Sequence, residues 1–82
     1  MMNMGAVELN VHGMTVVQAQ IAIDAKLRKA NSSVYRIRII HGYNSGTALR
    51  DMIRKSYAKH PKVKRVEFGL NQGITELVLH EF

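Results

Sequence analysis

Apolar and polar positions alternate in two stretches of the chain, and each of these is followed by a stripe of helical period. Val7-Glu8-Leu9-Asn10-Val11 alternates strictly, the pattern of a strand with one buried face. His12-Gly13 ends it, and Thr15 stands where a helix N-cap belongs. Val16, Ala19, Ile23, Leu27 and Ala30 then recur at steps of three and four, which predicts a helix closed by Asn31-Ser32-Ser33. Asp24 and Arg28 fall outside that stripe, spaced as a solvent-side pair.

Tyr35 to Ile40 alternates again, with Tyr35, Ile37 and Ile39 on one face and Arg36, Arg38 and Ile40 on the other. This second strand also ends in His-Gly, and a loop Tyr43-Asn44-Ser45-Gly46 follows. The spacing predicts a second helix from about Thr47 to Lys59, with Leu49, Met52, Ile53 and Tyr57 inward and His60-Pro61 as its stop. Val63 to Phe68 reads as a third strand, Gly69 to Gly73 as a turn and Ile74 to His80 as a fourth strand. The order β-α-β-α-β-β predicts an α/β domain with a four-stranded mixed sheet. Its strand-helix-strand units ask for parallel neighbours, and its last two strands form an antiparallel hairpin. Residues 1–6 are expected to be a flexible start, and 7–82 the domain.

Composition narrows the class. At 82 residues there is room for one core only, and 46% apolar content suffices to build it. Cysteine is absent, which excludes a disulfide scaffold, a zinc-thiolate site and a cysteine nucleophile. The longest apolar runs are three residues, Ile21 to Ile23 and Leu77 to Leu79, far short of the ~18 that a membrane span needs. A soluble, cytoplasmic monomer without membrane contact is expected. Twelve Lys and Arg against six Asp and Glu give a net charge of +6, which favours a polyanionic partner, nucleic acid first, over solubility alone.

The chemistry-bearing residues gather at a weak internal repeat: Val11-His12-Gly13 and Ile40-His41-Gly42, with the two histidines 29 residues apart. If the first two strands are parallel, both corners lie beyond the strand ends, where helix N-termini favour anions. Gly42 and Gly46 let backbone approach a phosphate, Ser45 and Thr47 add hydroxyls, and Arg50 and Arg54 rise from the corner along the second helix. Tyr43 is placed to stack on a base. This is not a P-loop, because the Lys-Ser/Thr ending is missing. His12 and His41 could bind phosphate as imidazolium or share acid and base work on a phosphodiester; the competing reading is that each ring hydrogen-bonds backbone at a strand end. His60 and His80 are given no role. Lys62 is read as solvated. No His spacing suits structural zinc, so no cofactor is dictated by the residues; Mg²⁺ or Mn²⁺ is what a metal-assisted cut would use.

Leu9-Asn10-Val11-His12-Gly13, then His41-Gly42-Tyr43-Asn44-Ser45-Gly46 with Leu49-Arg50, then Gly73-Ile74-Thr75-Glu76-Leu77-Val78-Leu79, resemble in order and spacing the Smr (small MutS-related) domain. The likeness runs from about Val7 to Phe82. It implies a two-layer α/β sandwich like the C-terminal domain of translation initiation factor 3, with both helices on one face of the sheet. It also implies nucleic-acid binding, DNA or RNA, in DNA repair or recombination or on the ribosome, and in several members a nicking endonuclease activity. By position it assigns catalytic roles to His12 and His41, and phosphate binding to Gly42, Gly46 and Arg50.

Two departures matter. The family motif usually reads Leu-Asp-x-His-Gly, and its aspartate is tied to cleavage. Here Asn10 stands in that place, an amide that can neither act as a base nor serve as an anionic metal ligand. Asn44 replaces a middle glycine in the second motif, a change that a residue tolerant of left-handed backbone can absorb. Three readings stay open: a binding module that does not cut, a histidine-dependent or metal-assisted nicking enzyme, and a protein-interaction domain with incidental charge.

Overall fold

The computed structural model describes residues 5–42, 47–69 and 71–80. Its elements are β1 (Ala6–Asn10), α1 (Val16–Lys29), β2 (Arg36–Ile40), α2 (Ala48–Ser56), β3 (Arg65–Phe68) and β4 (Ile74–Val78). They form one mixed sheet in the order β1-β2-β4-β3, in which β1 and β2 are parallel and β4 is antiparallel to both its neighbours. The strand-helix-strand expectation therefore holds for the first unit and is corrected for the second. β2 and β3 run the same way, but the hairpin folds β4 in between them. Gly5 and Ala6, expected in the flexible start, belong to the folded body: Ala6 pairs with Arg36, and the Gly5 carbonyl accepts from the Tyr35 and Arg36 amides at 2.7 and 3.2 Å.

Helix α1 starts where the sequence places it. The Thr15 hydroxyl accepts from the Gln18 amide while the Gln18 side chain accepts from the Thr15 amide, a reciprocal capping box. Its other end shows a partner that local pattern does not reveal. The Lys62 ammonium donates to the Leu27 carbonyl at 2.6 Å and the Ala30 carbonyl at 3.4 Å, so Lys62 is no merely solvated charge but caps the negative end of α1. Lys62→Met should lower unfolding free energy by about 0.5–1 kcal/mol, a melting shift of about 2–8 °C in thermal denaturation.

Ala19, Ile23 and Leu27 on α1 and Ile53 and Tyr57 at α2 pack over Ile37, Ile39 and Leu77 of the central strands. The helices cover the face that carries the odd-numbered residues of β2, as its alternation predicts. Tyr57 pins the two helices together, since its hydroxyl donates to Asp24 at 2.7 Å; burial, with that hydrogen bond, raises its pKa. Asp24 thus serves Tyr57 across the helix pair, a role its spacing to Arg28 does not suggest. Helix α2 ends at Ser56, earlier than the proline implies. Beyond it, turns closed by His60 N–H on the Tyr57 carbonyl and Val63 N–H on the His60 carbonyl carry Val63 into the core.

The sheet face away from the helices carries an alternating ladder of charge, Glu8, Arg38, Glu76, Arg36, Glu67 and Arg65, each ion-paired to the next. Among the described residues no helix is long and apolar enough to cross a membrane.

Candidate functional site

Parallel pairing carries the two His-Gly corners to one edge of the sheet, and the Val11 amide donates to the Ile40 carbonyl at 2.9 Å to close them together. The Asn10 side-chain oxygen accepts from the His12 amide at 2.9 Å, which shapes the first corner as an Asx turn. The neutral amide keeps this backbone task without supplying a negative charge. Gly13 follows at φ +85°.

Gly42 is the tighter corner. Its φ is +74°, and a Cβ there would lie 2.4 Å from Cδ2 of His12, so the His12 ring rests directly on the Gly42 backbone. A third segment closes the junction: the Gly73 carbonyl accepts from the amides of His41 and Gly42 at 2.9 and 3.0 Å. Gly73 reads as a simple turn residue in the sequence, and only its backbone contact with Gly42 reveals it as part of the corner.

The two histidines match in sequence and differ in setting. His12 is exposed. His41 is 2% exposed, and both its ring nitrogens are engaged. Because a carbonyl can only accept, Nδ1–H donates to the Gly42 carbonyl at 2.7 Å, and Nε2 then accepts from the Thr75 hydroxyl at 2.9 Å. Arg54 Nε–H donates in turn to Thr75 Oγ1 at 3.3 Å. The result is a directed chain, Arg54 to Thr75 to His41 to Gly42. Burial pushes the His41 pKa below its ordinary value, the bond to the Gly42 carbonyl opposes that, and cationic Arg54 and Arg50 reinforce it. For His41 the geometry is that of a ring hydrogen-bonded at a strand end, with no free nitrogen toward a ligand. His12 alone of the pair presents its ring to solvent.

On α2, Thr47 makes no side-chain bond to the helix amides; its hydroxyl donates to Asp51 Oδ2 at 3.0 Å instead. That hydrogen bond, with Arg50 beside it, holds the Asp51 carboxyl below the usual carboxylate range. Arg50 approaches Asp51 at 3.3 Å, so part of its charge is already answered. Arg54 lies over the ring of Phe68, its guanidinium carbon 3.9 Å from the ring centroid. Between the first turns of α1 and α2 lies an open cleft of about 320 Å³ lined by Gly13, Thr15, Val16, His41, Ala48 and Leu49. Tyr43, Asn44, Ser45 and Gly46 lie outside the described residues. Among those described, no three His, Cys, Asp or Glu side chains converge to hold a metal ion.

Charge is distributed unevenly. Three of the twelve cations and three of the six acids are consumed by the ladder on the open sheet face, so Arg36 and Arg38 are not available as a free basic group. The nine remaining cations fall on α1, on α2 and along the connection to β3, and the rest of the chain holds three acids against them.

The Smr domain family model matches residues 9–74. The crystal structure of the Smr domain of Thermus thermophilus MutS2 superposes with a TM-score of 0.82 at 25% sequence identity, covering 92% of this chain and 99% of that one. No curated protein matches.

Proposed function

The chain belongs to the Smr domain family, and from that membership we propose that it is a nucleic-acid-binding module that docks a phosphate backbone at the His12–Gly42 corner. The observation that carries this reading is the segregation of charge. The sheet face is self-neutralised, while the two helices and the connection to β3 keep nine cations against three acids in the rest of the chain. The corner adds geometry: two helix N-termini flank it, α2 lacks a side-chain cap, and the side-chain-free backbone of Gly42 seats the exposed His12 ring between them.

Strand nicking is a second reading, and one observation favours it. His12 is exposed and braced on Gly42, so its imidazole can exchange a proton with a docked phosphodiester. Asn10 opposes it, since an amide already bonded to the His12 backbone supplies neither a base nor an anionic ligand. DNA repair, recombination or ribosome rescue are settings that the family resemblance offers for such a module, and the polymer it prefers decides among them.

Binding and cleavage of end-labelled RNA and supercoiled DNA, with and without Mg²⁺ or Mn²⁺, test both readings. If three to five phosphates are neutralised, affinity falls about 40- to 500-fold between 50 and 200 mM salt. Arg50→Ala lowers the salt slope by about one and weakens binding across sequences. Cutting that His12→Ala abolishes without loss of binding would establish the nicking reading. Failure of the wild type to bind either polymer at low salt would overturn both and leave a protein-interaction domain.

A further inference from the structure

Three large apolar side chains stand exposed among the described residues, Val17, Ile21 and Phe68, and Phe68 is the one aromatic among them. It lies on the edge strand β3, directly opposite Thr75 in the antiparallel register, beside the chain that ends on His41. Arg54 bridges the two: its Nε–H is bonded to Thr75 while its guanidinium covers one face of the Phe68 ring. Even with Arg54 over one face of its ring, Phe68 stays 58% exposed. Guanidinium–ring stacking favours the orientation that the ring holds here, which reduces the side-chain freedom lost on binding.

Resting on the nucleic-acid reading above, we propose that the open face of Phe68 is a stacking platform for an unpaired base, so that the domain prefers single-stranded or frayed nucleic acid to intact duplex. A base inside a duplex has both faces occupied by its neighbours and cannot lie on the ring; an unpaired base can. Arg54 and Arg50 rise on the same helix toward the corner, which gives the adjoining phosphates cationic partners. The carboxylate that acts on Arg54 is Asp51, already bonded to Thr47 and paired with Arg50, while Glu67 and Glu76 lie on the opposite sheet face, held by Arg65, Arg36 and Arg38.

The test uses a single-stranded oligonucleotide carrying 2-aminopurine and the same sequence as a blunt duplex, titrated with the whole chain. Wild type should bind the single strand more tightly and quench the probe. Phe68→Leu, which keeps apolar bulk and removes the π face, should lose about fivefold or more on the single strand, with duplex affinity and salt slope unchanged. Phe68→Tyr should retain wild-type behaviour. If Phe68→Leu matches wild type on the single strand while binding persists, the platform is wrong and the nucleic-acid reading stands. If wild type binds neither probe at low salt, the nucleic-acid reading itself has failed and the platform goes with it.

Discussion

Thr75→Val is expected to lower the unfolding free energy by about 2–3 kcal/mol, a fall in melting temperature of about 8–24 °C, despite being nearly isosteric. Thr75 has no exposed surface and its oxygen works twice, donating to His41 Nε2 and accepting from Arg54. Arg54 is only half-buried and can turn to water. His41 Nε2 cannot, so the substitution leaves a buried acceptor without a donor. A loss under about 0.5 kcal/mol in urea denaturation would mean that water replaces the hydroxyl and that the chain does not hold the corner.

The same chain fixes the sign of a pH effect. His41 in the fold takes up a proton at lower pH than it does in the unfolded chain, because burial penalises the imidazolium. Unfolding therefore binds a proton once pH falls below about 6.5, and stability supplied by the neutral ring is present above that value and drains below it. The slope for one proton approaches at most ~1.4 kcal/mol per pH unit. Relative to His41→Gln, which carries no such proton, wild type should lose its stability advantage as pH falls from about 8 to about 5. A constant gap between the two across that range would contradict the buried neutral ring.

The elements are legible in the sequence because alternation and helical period are local, and Thr15 marks its helix by chemistry alone. What local pattern does not carry is the neighbour across the sheet. Nothing in Ile74 to Val78 states that this strand slides between β2 and β3, yet that insertion decides the site. It makes β2 central and leaves β1 at the edge, so His41 is enclosed by Thr75 and Gly73 while His12, its twin in sequence, stays exposed. The same insertion brings Glu76 and Glu67 to Arg36, which removes Arg36 and Arg38 from the basic surface that their sequence suggests. Lys62 lies 35 residues from the carbonyl it caps, a contact with no local signal. Phe68 carries no chemical signal in the sequence, because its alternation fits a strand equally well whether its edge is covered or open.

Gly42→Ala and Gly13→Ala should separate two reasons for glycine that look alike in sequence. Both residues have positive φ, so alanine carries a conformational cost of about 1–2 kcal/mol at each. At Gly13 nothing lies within 4 Å of the added carbon, and the cost ends there. At Gly42 the new methyl would meet Cδ2 of His12 at 2.4 Å, so the ring must swing off the corner or the backbone must shift. Gly42→Ala should therefore cost about 1.5–3 kcal/mol, roughly 6–24 °C in melting temperature, and move the His12 ring resonances, which Gly13→Ala leaves near their original place. In a His12→Ala background the obstacle is gone, and Gly42→Ala should then cost no more than Gly13→Ala. Equal costs for Gly42→Ala in both backgrounds would show that conformation alone selects glycine at position 42. A smaller cost in the His12→Ala background would show that the second corner is shaped around the exposed histidine, so that the residue proposed to meet a phosphate is positioned by the corner beside it.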